Sequence, residues 1–332
     1  MIPETKQPAV SRALQEAFGV NEYEDIRLTT GGLSPSLVFR IVVQGKAYLL
    51  RILLRSEAIA DPRVEFACMK IASEARIAPR IWYANLEDKI LITDFVEAKP
   101  FPDDTALRIA PILRRLHALP DFPKMVNSNY LDVMDGFVQR FQAANLLPEG
   151  ESGQLFRRYA DLLQVYPRNE AELVASHNDL KPQNMIFDGQ RLWLVDWESA
   201  FLNDAYVDLA EAANFFVSDE AQEESYLSAY FAEPAGDYRR ARFYLMQQAV
   251  HIFFASFLLL MTARAGLPIA ADSPTPDFRD FHQRLISGVI GLTTDEEKLQ
   301  YGLVHLRQAQ RNMQTQRFEQ SLAIVGDLHA SV

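Results

Sequence analysis

The chain is poor in cysteine, with Cys68 alone among 332 residues. A single thiol cannot form a disulfide within the chain, and no histidine lies near it at a metal-ligand spacing. Its neighbours Phe66, Ala67 and Met69 are apolar, which favours a buried structural thiol. The sequence therefore indicates neither a disulfide-stabilised protein nor a thiolate metal site.

Basic residues are also in the minority. Lys and Arg number 33 against 44 Asp and Glu, so the formal net charge is −11. Because nucleic-acid phosphates are bound by basic surfaces, we expect no nucleic-acid partner. The acidic balance is compatible with a cationic substrate, although acidity alone does not select one.

Long apolar runs are missing as well. The longest apolar stretch, residues 249–261, is interrupted by His251 and Ser256. It is shorter than the ~20 apolar residues that span a bilayer, so we interpret it as a buried core helix and expect no membrane partner. The first residues lack the basic-then-apolar pattern of a signal peptide, so a cytoplasmic location is expected. The sequence leaves the oligomeric state open.

Strand patterns dominate the first part of the chain, and helical periodicity dominates the rest. Thr294 and Glu297 have the spacing of a capping box that opens a long terminal helix. Before the chain becomes helical near residue 95, the predicted elements are a helix over 8–19, strands over 26–28, 37–43 and 47–52, a helix over 61–75, and strands over 79–84 and 89–95. Beyond it, a strand pair is predicted around 184–197.

Three polar residues stand out in the second part: Asp179, Asn184 and Asp196. Asn184 and Asp196 adjoin apolar segments, and a polar side chain at the end of a buried strand must be hydrogen-bonded or bind an ion. The pattern His-x-Asp-x-x-x-x-Asn, followed by an Asp at a strand end, supplies one carboxylate to orient an attacking hydroxyl and two oxygen ligands for Mg²⁺. The sequence therefore predicts a phosphoryl-transfer site.

This segment, with Asp196-Trp197-Glu198 after it, resembles the aminoglycoside phosphotransferase and choline/ethanolamine kinase superfamily. The resemblance covers most of residues 25–235 and fades towards the C-terminus. It implies an α+β, two-lobed, protein-kinase-like fold. The expected lobes are a small β-rich nucleotide-binding lobe over 1–96 and a larger, mostly helical lobe over 97–332 that carries the catalytic loop and the acceptor site.

The resemblance also implies residue roles. Asp179 corresponds to the catalytic base, and Asn184 and Asp196 correspond to the Mg²⁺ ligands. Asp208 is expected to brace the catalytic loop. The implied nucleotide-binding residues are Gly31, Gly32, Ser34, Arg51, Glu65, Asp94, Val96 and Lys181.

These nucleotide contacts have separate physical grounds. Arg51 takes the place of the kinase lysine and can hold phosphate oxygens by two bonds, with Glu65 as its ion-pair partner. The glycine pair at 31–32 would let the backbone approach the phosphates closely, and Ser34 could donate its hydroxyl to them. Asp94 and Val96 would offer backbone groups to adenine. Lys181 either touches the γ-phosphate or is solvated.

The implied function is transfer of a phosphoryl group from ATP or GTP, with Mg²⁺, to a hydroxyl of a small molecule. The acceptor would be aminoglycoside-, choline- or amino-alcohol-like, bound in the helical lobe beyond Asp196. Two alternatives stay open: a protein kinase, against which the Gly-x-Gly-x-x-Gly, Asp-Phe-Gly and Ala-Pro-Glu sequences are missing, and a nucleotide-binding regulatory pseudo-kinase. Ser199 stands where choline kinases often have an aromatic residue, which counts against a standard choline pocket.

Overall fold

The computed structural model describes residues 2–29, 36–53, 62–123, 130–147, 149–168, 172–269 and 274–329. The predicted phosphate-binding residues Gly31, Gly32 and Ser34 lie outside these ranges. Internal contacts divide the chain into two compact units. The first comprises Met1–Pro100, Leu119–Pro123 and Gln183–Phe201, and the second comprises Phe101–Ala118, Lys124–Pro182 and Leu202–Val332.

The first unit is built on a five-stranded antiparallel sheet. Its strands are β1 (Asp25–Leu28), β2 (Ser36–Val43), β3 (Lys46–Leu53), β4 (Ile81–Asn85) and β5 (Ile90–Asp94). They lie in the order β1-β2-β3-β5-β4. Gln44 and Gly45, with φ angles of 51° and 72°, form the tight turn between β2 and β3, because a two-residue hairpin of this kind needs positive φ at both positions.

The core of this unit lies on one face of the sheet. Phe39, Ile41 and Leu50 are fully buried at alternating positions of β2 and β3, and α1 (Gln7–Phe18) packs Leu14 into the same cluster. α1 ends at Gly19, whose φ of 75° is the left-handed conformation common after helices. The predicted period-2 strands and this helix are confirmed.

Two further elements belong to the first unit: α2 (Pro62–Glu74), and a hairpin of β7 (Met185–Phe187) and β8 (Leu192–Leu194). The hairpin is attached by backbone bonds. The Leu194 N–H donates to the Ile77 carbonyl at 3.0 Å, and the Lys99 N–H donates to the Phe187 carbonyl at 2.7 Å. The unit is therefore discontinuous in the sequence, and its first run ends at Pro100, just beyond the predicted boundary at residue 96.

The second unit is mostly helical over its described residues. A short pair of strands, β6 (Leu173–Ser176) and β9 (Phe201–Asp204), accompanies the helices. The helices are α3 (Thr105–His117), α4 (Tyr130–Ala143), α5 (Glu149–Val165), α6 (Ala205–Phe216), α7 (Glu220–Phe231), α8 (Asp237–Arg264), α9 (Phe278–Ile286), α10 (Asp295–Asn312) and α11 (Gln316–His329). The capping box predicted at Thr294 opens α10.

The 28-residue helix α8 is the core element of the second unit and packs against α4, α6, α10 and α11. By length and composition it could cross a membrane, but 78% of its most apolar window is buried within the protein. Residues 249–261 lie inside this helix. Their apolar character is explained by helix–helix packing on several sides, as predicted for a core helix.

Three buried histidines connect α8, α9 and α10. Nδ1 of His251 lies 2.9 Å from Nδ1 of His305, so one ring must donate and the other must accept. His282 Nδ1 lies 2.7 Å from the Phe278 carbonyl oxygen, to which it donates. Burial lowers the pKa of His251 to about 3 and that of His282 to about 4, and it holds the pKa of His305 well below 6.5.

The lowered pKa values of these histidines indicate that acid destabilises the second unit. Because their folded pKa values lie below the unfolded value of 6.5, their contribution to stability is present above that pH and is lost as the pH falls towards 4. Replacing His282 with Gln keeps an amide donor near the Phe278 carbonyl but removes one titrating ring. We expect the free energy of unfolding of the wild type to fall by about 1 kcal/mol more than that of His282→Gln between about pH 7.5 and 5.5.

Urea denaturation of both proteins at the two pH values measures this difference. The comparison is needed because burial raises the pKa values of the carboxyls Glu65 and Glu211, and these groups act in the opposite direction. Their effect is common to both proteins and cancels. Parallel pH dependences of the two proteins would contradict the prediction.

Candidate active site

Asp208, in the first turn of α6, braces the loop that carries the predicted base. Its fully buried carboxylate accepts the backbone N–H of His177 at 2.9 Å and that of Asn178 at 2.8 Å. Nε2 of His117 lies 3.1 Å from the same carboxylate. Asn178 has φ of 63°, a left-handed conformation that asparagine tolerates, and its Oδ1 accepts Nδ2 of Asn203 at 2.6 Å. The prediction that Asp208 braces this loop is confirmed.

The charge on Asp208 depends on these donors. Burial raises the pKa of Asp208. The hydrogen bond and charge of His117, together with the His177 N–H, outweigh this effect, so the pKa lies below its usual value. A carboxylate that satisfies several donors in a dry interior is held in one orientation. The backbone of His177 and Asn178, directly before Asp179, is therefore held in place by Asp208.

Asp179 is only partly buried, with 20% of its side chain exposed, and its Oδ2 accepts Nζ of Lys181 at 2.5 Å. Lys181 is thus paired with the predicted base, a contact that neither of the two roles expected from the sequence included. The intervening Leu180 donates its N–H to Oε2 of Glu211, on α6, at 2.8 Å. Two acidic residues of α6, one turn apart, therefore hold the backbone on both sides of Asp179.

The predicted metal ligands belong to the β7–β8 hairpin of the first unit. Asn184 directly precedes β7, and its carbonyl accepts the Val195 N–H at 3.0 Å, next to the paired residues Met185 and Leu194. Asp196 follows Val195 in a left-handed conformation with φ of 65°. Antiparallel pairing therefore places Asn184 and Asp196 at the same end of the hairpin.

Arg51 on β3 joins this end of the hairpin to α2. Its Nη1 lies 2.6 Å from Oε1 of Glu65, and its Nη2 lies 3.6 Å from Oδ1 of Asp196. Burial raises the pKa of Glu65, Arg51 opposes this, and the charges of Asp196 and Glu198 raise it again. The carboxyl groups of Glu65 and Asp196 therefore both approach the Arg51 guanidinium, and 26% of the Asp196 side chain is exposed.

This arrangement can accept a hard cation. The described residues contain no group of three or more His, Cys, Asp or Glu side chains that would hold a metal unaided. Asn184 and Asp196 offer an amide and a carboxylate oxygen, which suits Mg²⁺, an ion that keeps several waters and takes its other ligands from substrate phosphates. The donor set therefore fits Mg²⁺ bound together with a nucleotide.

Asp94 lies at the end of β5, and its side chain is bonded within the first unit. Its Oδ1 accepts Nζ of Lys46 at 3.1 Å and Nε1 of Trp82 at 2.9 Å, and its backbone N–H donates to the Arg80 carbonyl. An adenine contact at Asp94 would therefore use its carbonyl oxygen. Val96 follows in partly buried, irregular backbone.

The structure thus groups the described site residues into two sets. Arg51, Glu65, Asn184 and Asp196 lie together in the first unit, and Asp179 lies with Lys181 in the second. The structure also buries Glu211, a residue of α6 without an assigned role, against the loop that carries Asp179. Its signal was an acidic residue three positions after Asp208 in the otherwise apolar helix α6.

An antiparallel sheet lobe with a buried Arg–Glu pair, followed by a helical region with a braced His-x-Asp loop, defines a phosphotransferase of the kinase-like fold. A sequence model of the phosphotransferase enzyme family matches residues 25–244, and the chain belongs to that family. No curated protein matches the sequence significantly.

Solved structures share the fold at low sequence identity. A choline/ethanolamine kinase family protein from Mesorhizobium loti is 20% identical, with a TM-score of 0.69 over 97% of this chain and 99% of that one. The choline kinase LicA from Streptococcus pneumoniae is 16% identical, with a TM-score of 0.57 over 86% and 99%. A spectinomycin phosphotransferase in complex with ADP and spectinomycin is 12% identical, with a TM-score of 0.56 over 92% and 98%.

Proposed function

We propose that this protein transfers the γ-phosphoryl group of ATP to a hydroxyl of a small molecule, with Asp179 as the base. The observation that carries the proposal is the loop braced by Asp208, which presents a partly exposed carboxylate at the position of the catalytic aspartate of kinases. A related structure contains ADP, which supports ATP as the donor. GTP, the other nucleotide expected from the sequence, has no such support.

In the proposed reaction the acceptor oxygen attacks the γ-phosphorus. A bond forms between this oxygen and phosphorus, the bond from phosphorus to the bridging oxygen of the β-phosphate breaks, and ADP leaves. The hydroxyl proton passes to Asp179, which first orients the hydroxyl by accepting its hydrogen bond. Lys181 lies 2.5 Å from the same carboxylate and holds its position.

Asn184 and Asp196 would hold Mg²⁺, which, when bound, neutralises charge on the phosphate oxygens. Arg51 is fixed by Glu65, and its guanidinium is proposed to hold a phosphate oxygen. Because Arg51 also approaches Asp196, nucleotide binding in the first unit is proposed to depend on one connected set of charges.

The test is ADP production by the full chain with Mg-ATP and a panel of choline, ethanolamine, aminoglycosides, thiamine and sugars. At least one acceptor is expected to stimulate ADP release and to appear as its phosphate ester by mass spectrometry. Nucleotide binding without turnover on any acceptor would favour a regulatory pseudo-kinase. Phosphate found only on added protein substrates would favour a protein kinase.

Replacement of Asp196 with Ala is expected to weaken Mg-ATP binding by about tenfold or more, since even residues that only support metal ligands cost about 10–100-fold in affinity. Binding of ATP without metal should change much less. Calorimetry with Mg²⁺ and with EDTA measures both affinities, and Asp103→Ala, at an exposed position, is the control. Equal losses under the two conditions would argue against metal ligation.

A further inference from the structure

A cleft on the second unit has a basic lining, although the chain as a whole is acidic. It lies between α5 and the C-terminal end of α10 and has a volume of about 360 Å³. Its lining consists of three glutamines, the apolar residues Leu155 and Met313, and three arginines, Arg158, Arg307 and Arg311. No acidic side chain is among these lining residues, all of which belong to the described part of the chain. The size of the cleft suits a small molecule, and its charge suits an anion.

Arg158, on α5, forms a fixed wall of the cleft. Its Nε donates to the Met313 carbonyl at 3.2 Å, and its guanidinium carbon lies 4.7 Å from the centre of the Phe318 ring. Its two other nitrogens pair with Asp161, at 3.4 Å, and with Glu319. Because these acidic partners compensate its charge, Arg158 holds the wall in place, and the uncompensated charge of the cleft comes from α10.

Arg307 and Arg311 are four residues apart on α10, so their side chains are neighbours on one face of the helix. Arg307 donates to Oε1 of Gln310 at 2.9 Å, and Arg311 donates to Oε1 of Gln308 at 2.6 Å. A glutamine orients a guanidinium without neutralising it. Among the described residues, Arg311 has no carboxylate at salt-bridge distance and no second hydrogen bond. Like charges one helical turn apart repel each other, so a bound anion would stabilise this pair.

The helix end accounts for only part of this arrangement. A cation in the last turn of a helix interacts favourably with the helix dipole, and Arg311 lies in the last turn of α10. The dipole requires neither a second arginine one turn earlier nor the buried apolar residues Leu155 and Met313 beside it. Guanidinium groups hold phosphate oxygens through paired bonds. Two adjacent guanidiniums match a phosphate, with nearly two charges and three acceptor oxygens, better than they match a single carboxylate.

We propose that this cleft binds a phosphate group, either as free phosphate or as the monoester of a small molecule, through Arg307 and Arg311. The uncharged part of an ester would lie against Leu155 and Met313. The cleft is separate from the proposed active site, since none of its lining residues belongs to the loop of Asp179 or to the β7–β8 hairpin. The proposed reaction forms a phosphate ester, so its product belongs to this class of ligand, but binding in the cleft does not depend on that reaction.

Phosphorus NMR titration of the full chain tests the binding, with inorganic phosphate and glycerol phosphate as probes. At least one probe is expected to bind the wild type, and the tighter of the two identifies the free ion or the ester as the preferred form. Arg311→Gln is expected to weaken this binding by about 10–100-fold, the effect of losing a hydrogen bond to a charged group. Arg264→Gln, the same change at an exposed position in the last turn of α8, is the matched control and should bind like the wild type.

Three results would overturn the assignment. They are no binding of either probe to the wild type, equal binding by the wild type and Arg311→Gln, and an equal loss in Arg311→Gln and Arg264→Gln, which would reveal only a general effect of charge. Thermal unfolding checks the fold of each variant. If Arg311→Gln does not fold, Arg307→Gln decides, because it removes the other arginine of the pair. It should weaken binding to a similar extent, and unchanged binding would reject the site.

Turnover separates this inference from the proposed function. With Mg-ATP and the best acceptor of the panel, Arg311→Gln is expected to retain wild-type turnover, because its hydrogen bond is to Gln308 and not to a residue of the proposed active site. Turnover lost together with phosphate binding would place the cleft in the active site and overturn its assignment as a separate site. Phosphate binding that depends on Arg311, in a chain that turns over no acceptor, would reject the phosphotransferase and support the cleft.

Discussion

Asp179→Asn is expected to fold like the wild type and to lose phosphoryl transfer by about 10²–10⁴-fold, the usual contribution of a positioned acid–base group. Asparagine has nearly the same size, so it can occupy the same place in the braced loop. It cannot accept the hydroxyl proton, and it no longer pairs as a charge with Lys181. Because both partners of that pair are partly exposed, its loss should change stability little.

The measurement is steady-state turnover with the best acceptor of the panel, with thermal unfolding to confirm the fold. Asp161→Asn, the same change at a half-exposed residue of α5, is the matched control and should retain full turnover. The Michaelis constant for ATP is expected to stay close to its wild-type value in both variants. Turnover of Asp179→Asn near the wild-type rate would remove Asp179 from the role of base.

Asp208→Ala should lower the free energy of unfolding more than Asp179→Asn or His282→Gln. The substitution leaves the N–H groups of His177 and Asn178 buried without an acceptor and removes the partner of His117. Removing one side of a buried, hydrogen-bonded charge pair costs about 3–5 kcal/mol of the free energy of unfolding. Activity should fall as well, because the loop that presents Asp179 loses its support.

Chemical denaturation near neutral pH measures this loss. Asp208→Asn should be intermediate, since its amide keeps one acceptor oxygen but turns an NH₂ group towards a donor. The pKa of Asp208 is lowered from 3.8 on folding. Its contribution to the free energy of unfolding is therefore present above pH 3.8 and is lost as the pH falls through the pKa of the folded state. The difference between wild type and Asp208→Ala should therefore shrink in acid. A loss no larger than that of Asp161→Ala would show that Asp208 does not support the loop.

Much of the fold was predictable because its signals are local. The alternation along β2 and β3, the positive-φ turn at Gln44 and Gly45, and the capping box at Thr294 each depend on residues close together in the chain. The motif spacing between Asp179 and Asn184 is local in the same sense. Family resemblance then placed these segments in a kinase-like fold, which the comparisons confirm.

The site was less predictable where side chains meet across long separations. The pairing of Arg51 with Glu65 was expected, but the approach of Arg51 to Asp196 required α2 and the β7–β8 hairpin to pack on the same unit. The two roles expected of Lys181, towards the γ-phosphate or solvent, did not include its pairing with Asp179. Asp94 was expected to offer backbone groups to adenine, and the bonds of its carboxylate to Lys46 and Trp82 were not foreseen.

The sequence by itself determined the class of the protein: the order of strands and helices, the phosphoryl-transfer motif and the candidate base are all local in the chain. Only the tertiary structure decided which acidic residues are buried and what they face. Glu211 and Asp208 lie on one otherwise apolar helix, and helical periodicity alone cannot tell that both side chains bind the backbone around Asp179. Burial, desolvation and the direction of a pKa shift arise from the packing of distant segments, so they emerge only when the helices have assembled.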